Sequence, residues 1–183
     1  MNRKQLKFEN PARLDELKPR ETLLRIGLTE NDTVCDIGAG TGVFTLPAAE
    51  ITRNTVYALD INEDMLAILD DKIQSGQIKN IVLQKVRDKR YDLEDGSIAI
   101  ALMVTVLHEV ESKLQIIKEI KRILKENGKL AVIEFHKRPT TSGPPVEQRL
   151  SQDEVKEMMA YSDFTTCDEF DLGDNFYCLV FVN

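Results

Sequence analysis

The chain has 183 residues, 42% of them hydrophobic and 30% charged, with 24 Lys and Arg against 31 Asp and Glu for a formal charge of −7. That length predicts one domain, residues 1–183, with a core large enough to stand without disulfides or structural metal. The acidic balance weighs against a broad phosphate-neutralising surface, and so against a nucleic-acid partner, but excludes no small-molecule substrate.

No apolar run approaches the ~20 residues of a membrane span. The opening residues Met1 to Leu6 are basic and lack the apolar stretch of a secretion signal. Cys35, Cys167 and Cys178 are odd in number, widely spaced and without a C-x-x-C. His108 and His136 complete no zinc set with them, so no metal is expected. A reduced, cytoplasmic setting is the default, and all three cysteines are expected to be small buried hydrophobes in strands.

In chain order, Leu6, Phe8, Leu14 and Leu17 make residues 1–18 too apolar for a free tail. Pro19–Ile26 reads as a short helix, with proline in the first turn and Gly27 as its cap. Strands are predicted at Thr33–Ile37, Thr55–Leu59, Ile81–Val86, Ile98–Val104 and Lys129–Phe135. Ile98–Val104 has no polar residue, as befits a strand covered on both faces. Asn62 is a good N-cap for a helix to about Ser75, with Glu63 and Asp64 suiting its dipole. Ser112 and Gln115 form a capping-box pair ahead of the apolar stripe Leu114, Ile117, Ile120 and Leu124, and Asn127-Gly128 should stop that helix. Ser151 and Glu154 form a second box, with Leu150 and Val155 placed for a hydrophobic staple. Phe164–Leu172 and Phe176–Val182 read as a hairpin through Gly173-Asp174-Asn175. Pro47 falls where a helix should run, which predicts a kink or a late helix start. Strands alternating with amphipathic helices imply an α/β fold with a mainly parallel sheet.

The most informative stretch is Val34-Cys35-Asp36-Ile37-Gly38-Ala39-Gly40-Thr41-Gly42, a strand running into a glycine turn and then a helix start. Val43 occupies the position of the third glycine of the dinucleotide fingerprint, and no Gly-Lys-Ser/Thr follows for a phosphate loop. A carboxylate at Asp36 would repel a pyrophosphate and favour an ammonium or sulfonium group. Asp60 ends the second strand 22 residues beyond Gly38, close to the ~20-residue spacing at which an acid meets ribose hydroxyls. Facing an open crevice, it should have few partners within the fold. A ribose, a positive end and no phosphate describe S-adenosylmethionine.

With these motifs the chain resembles the class I S-adenosylmethionine-dependent methyltransferases, in the small single-domain branch related to ubiquinone/menaquinone-biosynthesis methyltransferases. Asp36-x-Gly38-x-Gly40-x-Gly42 is similar to the family's first motif and Val56–Met65 to its second. Leu93–Ser97 followed by Leu107-His108-Glu109-Val110, and Ile120 to Gly128, are similar to the regions around strands four and five. The resemblance implies a Rossmann-like, doubly wound seven-stranded sheet, mostly parallel with an antiparallel C-terminal strand, and residues 1–18 covering the cofactor site. It implies that Gly38, Ala39 and Gly40 meet the methionine part and ribose, and that Asp36 faces the amino group. Asp60 would take the ribose hydroxyls, Ile61 and Met65 would pack near the adenine, and Asp88 beside Lys89 would meet the adenine amino group. Met103 would line the methionine end. The usual glycine before the acid is missing in Val86-Arg87-Asp88-Lys89, which leaves the register of Asp88 open by one position.

The expected activity is methyl transfer from S-adenosylmethionine to a small acceptor; the alternative is a non-catalytic S-adenosylmethionine sensor or scaffold. No residue is assigned a catalytic role. His108, just past strand four, is the candidate proton acceptor, equally readable as an ordinary hydrogen-bonded histidine. His136 and the Lys137–Pro145 loop share that ambiguity. Acceptor and oligomeric state are not legible.

Overall fold

In the computed structural model, residues 8–87 and 90–183 are described. The chain falls into two compact units, Met1–Asp88 and Lys89–Asn183. All seven strands hydrogen-bond into one sheet in the order β3-β2-β1-β4-β5-β7-β6, numbered as introduced below.

Among the described residues of the first unit, α1 (Pro11–Leu17) is capped by the Asn10 side chain, which accepts from the Ala12 amide at 2.9 Å. The sequence reading did not foresee this helix. Lys18, in the left-handed region, turns the chain into α2 (Pro19–Ile26), which ends on Gly27 as expected. β1 (Val34–Ile37) is buried along its whole length and pairs in parallel with β2 (Val56–Asp60), which pairs in parallel with β3 (Ile81–Lys85). Between β1 and β2 lies α3 (Thr45–Ile51). Pro47 is its third residue, inside the first turn, where the amides have no intrahelical carbonyl to lose. The predicted late start is what is observed. α4 (Glu63–Ser75) begins on Asn62, whose side chain accepts from the Asp64 amide at 3.0 Å. Its Leu69 and Ile73 pack with Ala39 and Ala58 in a core between helix and sheet.

In the second unit, β4 (Ile98–Val104) leads through a 3-10 turn at Leu107–Glu109 to α5 (Lys113–Ile123). β5 (Leu124–Phe135) pairs in parallel with β4. A second 3-10 turn (Val146–Gln148) and α6 (Gln152–Tyr161) precede β6 (Thr165–Leu172) and β7 (Phe176–Val182), and β7 runs antiparallel to both β5 and β6. The Ser151/Glu154 capping box forms in both directions, at 2.7 and 3.2 Å.

Two helix-end expectations fail. Ser112 is the N-cap of α5 but makes no side-chain cap; its carbonyl accepts from the Gln115 and Ile116 amides instead. The helix also stops at Ile123, four residues before Asn127-Gly128. Leu124 is buried, turns extended and pairs with Ile98, so strand pairing ends the helix before the Asn-Gly signal is reached. Asn127, at φ 60°, forms the irregular turn inside β5.

Arg122 on α5 shows why the Leu93–Ser97 and Ile120–Gly128 segments belong together. Its guanidinium donates to the carbonyls of Leu93 (2.8 Å) and Tyr91 (3.2 Å), grips Glu119 (2.6 and 2.9 Å) and pairs with Asp95. Among the described residues no helix is long and apolar enough to cross a membrane.

Candidate cofactor site and a histidine–glutamate pair

The glycine turn after β1 needs left-handed backbone, with Gly38, Gly40 and Gly42 at φ 74°, 55° and 88°. At Gly42 a Cβ would run into Leu69 Cδ1, so α4 sits directly on the turn. At Gly40 a Cβ would meet nothing nearer than the Gly38 carbonyl at 4.0 Å, so the chain leaves room there for a ligand to approach the backbone.

Four backbone donors of this turn are committed within the fold, whereas the buried Thr41 hydroxyl has no partner among the described residues. Gly38 and Ala39 donate to the Leu59 carbonyl at 2.7 and 3.0 Å, Gly40 donates to Asp60 Oδ2 at 2.8 Å, and Gly42 donates to the Ala39 carbonyl at 2.9 Å. With the Gly38, Ala39, Gly40 and Gly42 amides used this way, the turn is poorly suited to cradle a phosphate, since phosphate sites are built from free N–H groups. It can present peptide oxygens and carboxylates, which suit hydroxyls and a cation.

Asp60 corrects the expectation of a carboxylate with few partners. It is 8% exposed, and besides Gly40 it accepts from the Asn62 amide at 2.8 Å through Oδ1. One carboxylate therefore fastens the glycine turn to the start of α4. Each oxygen keeps a further lone pair for a ligand hydroxyl. Asp36 is 2% exposed and accepts from Thr45 Oγ1 at 2.6 Å. Burial pushes its pKa up to about 6, against the pull of the Thr45 hydrogen bond and with a further push from the Asp60 charge.

Ile61, next after Asp60, is 76% exposed, a large apolar side chain left in the open, whereas Met65 is 3% exposed and belongs to the core. Met103 on β4 is fully buried. Asp88 and Lys89 lie outside the described residues. A residue the sequence reading missed is Lys72 on α4. Its ammonium contacts Glu9 at 2.6 Å and the Thr41 carbonyl at 2.8 Å, tying the N-terminal segment to the glycine turn.

In the second unit His108 is held by Glu134, which the sequence reading also missed. Glu134 Oε2 lies 2.7 Å from His108 Nδ1, and its Oε1 accepts from the His108 amide at 3.1 Å. The side chains are 7% and 1% exposed. The available signal was one acid inside the apolar run Leu130–Phe135 of β5, which must find a partner if buried. His136 has no comparable arrangement; its Nε2 is 3.3 Å from the exposed Asp171, and its ring leans on Tyr177. The 136–149 loop is gathered by Arg149, which donates to the carbonyls of Pro144, His136 and Arg138 at 2.8 to 2.9 Å and lies over the Phe135 ring. Cys35 and Cys178 are buried as expected, but Cys167 is exposed. It sits at a register irregularity in β6, the edge strand, whose outer face meets solvent.

A strand, a glycine turn, a helix and an acid at the end of the next strand define a doubly wound protein built to hold a nucleoside-bearing ligand. The methyltransferase-domain family model matches residues 35–132, and the chain belongs to the class I S-adenosylmethionine-dependent methyltransferases. It is similar to the ubiquinone/menaquinone biosynthesis C-methyltransferase UbiE of Pseudoalteromonas translucida, 28% identical over 121 residues, covering 64% of this chain and 48% of that protein. It is likewise similar to the demethylmenaquinone methyltransferase of Alkalihalophilus pseudofirmus, 24% identical over 63% of this chain and 50% of that protein. The chain spans about half the length of the curated relatives it matches. Among solved structures, an S-adenosylmethionine-dependent methyltransferase from Aquifex aeolicus superimposes with TM-score 0.92 at 26% identity, covering 98% of this chain and 96% of that one. The [4+2]-cyclase SpnF shares the fold at TM-score 0.80 and 17% identity, covering 92% of this chain and 80% of that one.

Proposed function

We propose that this protein binds S-adenosylmethionine at the glycine turn and transfers its methyl group to a small-molecule acceptor. The observation that carries the reading is the pattern at the turn. The N–H groups of Gly38, Ala39, Gly40 and Gly42 are committed inside the fold, a gap lies over Gly40, and buried Asp36 and Asp60 stand beside it. Such a surface accepts hydroxyls and a cation and disfavours pyrophosphate, which separates S-adenosylmethionine from a nicotinamide dinucleotide.

On this reading Asp60 accepts the ribose hydroxyls, and peptide oxygens of the Gly38–Gly40 turn receive the methionine end. Exposed Ile61, beside Met65, covers the adenine. Asp88 and Lys89 are proposed near the adenine amino group, and Met103 near the methionine end. Asp36 supplies negative charge close to the cationic part, acting through the turn and not by an open face. Residues 1–18, tied in through Glu9 and Lys72, form the cover. The whole chain is read as one domain, since its strands share one sheet, and as a cytoplasmic protein whose acidic balance weighs against a nucleic-acid partner.

The cofactor supplies a methyl group on a sulfonium; the protein binds, aligns and excludes water, and removes a proton where the acceptor carries one. The test is a labelled-methyl transfer screen against extracted metabolite pools, with S-adenosylmethionine binding measured in parallel. Label appearing in a small molecule supports the reading. Tight binding with no transfer to any pool returns the alternative of a non-catalytic sensor or scaffold.

A further inference from the structure

We propose that Asp36 is the residue that tells S-adenosylmethionine from its demethylated product S-adenosylhomocysteine, and that it does so by giving up a proton when the cationic ligand binds. This rests on the S-adenosylmethionine reading above and adds to it the selectivity of that same site.

Asp36 on β1 pairs in register with Ala58 on β2, two residues before Asp60. Side chains two apart on a strand share a face, so the two strands bring both carboxylates to one face of the sheet at its carboxyl end. Both acids are buried, Asp36 the more deeply. Asp60 accepts from the Gly40 and Asn62 amides, and Asp36 is held by Thr45, whose hydroxyl donates at 2.6 Å. A carboxylate withdrawn from water beside a second acid resists ionising, and a cation brought to the same place reverses that preference.

Few other charges act at this point. Asp60 on β2 opposes the ionisation of Asp36, and Asp36 in turn helps to push up the buried Cys35 thiol beside it on β1. On α3, Glu50 is paired with Arg20 at 3.9 Å. On α4, the Lys72 ammonium is taken by Glu9 and the Thr41 carbonyl. β4, next to β1 in the sheet, carries no titratable side chain. In the free protein Asp36 therefore keeps its proton up to about pH 6.

The two ligands share the adenine, the ribose and the amino and carboxyl groups of the methionine part. They differ by one charge, a sulfonium in the first and a neutral thioether in the second. A buried carboxylate feels that charge more than an exposed one, because water and salt screen it less. Binding of the sulfonium ligand sends the Asp36 proton to solvent and leaves an anion to oppose the cation. When the methyl group leaves, the electron pair of the broken sulfur–carbon bond stays on sulfur and the positive charge is gone. Asp36 then takes a proton back from solvent, and the site loosens on the spent ligand.

The experiment is calorimetric titration of the full chain with each ligand from about pH 5 to pH 7, in two buffers of different ionisation enthalpy, which counts the protons exchanged. That window lies between the ordinary carboxyl (~3.3–3.7) and amino (~7.7–8.0) pKa values, so neither ligand titrates itself. About half a proton or more should leave per S-adenosylmethionine bound near pH ~5.5, and clearly less per S-adenosylhomocysteine. Across the window the affinity for S-adenosylmethionine should tighten up to about tenfold, and its ratio to that for S-adenosylhomocysteine should rise at least about threefold. Asp36→Asn should abolish the difference between the ligands in proton release and in pH dependence. Thr45→Val removes a hydroxyl that favours the ionised acid, so it should move the release to higher pH. Equal release by the two ligands in the wild type, a difference that persists in Asp36→Asn, or a Thr45→Val midpoint at the wild-type pH would each overturn the proposal. The first and third of these decide it even where Asp36→Asn does not fold. Failure of both ligands to bind would instead remove the S-adenosylmethionine reading.

Discussion

Replacing Asp60 should damage the protein twice, once without any ligand and once in binding it. In the free protein the carboxylate accepts from the Gly40 and Asn62 amides, both at 2.8 Å, while only 8% exposed. Hydrogen bonds to a charged group contribute roughly 1.5–3 kcal/mol each, and a stranded buried donor costs about 1–3 kcal/mol. Water can reach part of the site after truncation, so Asp60→Ala should destabilise the free protein by about 2–4 kcal/mol. At ~2–4 °C per kcal/mol for a chain of this size, the melting temperature should fall by roughly 5–15 °C. Asp60→Asn should fare little better, because an amide offers one acceptor and one donor where two amides both need an acceptor. Differential scanning calorimetry of the free proteins reads this effect directly. Titration of the folded variants with S-adenosylmethionine reads the second, a loss of at least about tenfold from two ribose hydroxyls left without their acceptor, since ~1.4 kcal/mol is one decade. A variant that melts with the wild type would refute the clamp, and one that melts early but binds normally would remove Asp60 from the ligand site.

Four further outcomes follow from the same geometry. The Asp36 pKa is raised to about 6 from an ordinary 3.8, so the native state holds this proton more tightly. That stabilisation is full below about pH 4 and is lost as pH rises through about 6, an effect on the order of 3 kcal/mol. Urea unfolding from pH 4.5 to 7.5 should show it in the wild type and not in Asp36→Asn; equal slopes would contradict it. Gly40→Ala meets no atom nearer than 4.0 Å, so it should cost only the left-handed penalty of about 1–2 kcal/mol in melting experiments while weakening S-adenosylmethionine at least about tenfold by calorimetry. Arg122→Ala removes the donors to the Leu93 and Tyr91 carbonyls and leaves Glu119 to the Tyr91 amide, and should lower chemical-denaturation stability by roughly 2–4 kcal/mol. Lys72→Ala removes the link between Glu9 and the Thr41 carbonyl, so hydrogen exchange in α1 should accelerate without a change at β4.

Where local chemistry decides, the sequence spoke clearly. Pro19 and Gly27 bound α2, Asn62 opens α4, the Ser151/Glu154 box opens α6, and the unbroken apolar run Ile98–Val104 is β4. Where distant pairing decides, it misled. Leu124 leaves the helix because Ile98 is its strand partner, and Cys167 falls, exposed, at a register irregularity of β6. Ser112 makes no side-chain cap despite its spacing. At the site, Asp36, Asp60 and the glycine turn were found from their spacing and charge. The partners that hold them were not, because Thr45 and Lys72 carry no signature of their own and Asn62 is legible only as a helix cap. Glu134 was the one hidden residue with a readable clue, an acid in an apolar strand.

The measurement that bears most directly on the central claim is calorimetric titration of the free protein with S-adenosylhomocysteine and, separately, with NAD. The committed Gly38, Ala39, Gly40 and Gly42 amides and the acids beside them predict a single-site isotherm with S-adenosylhomocysteine and none with NAD. Binding of NAD, or of neither ligand, would contradict it.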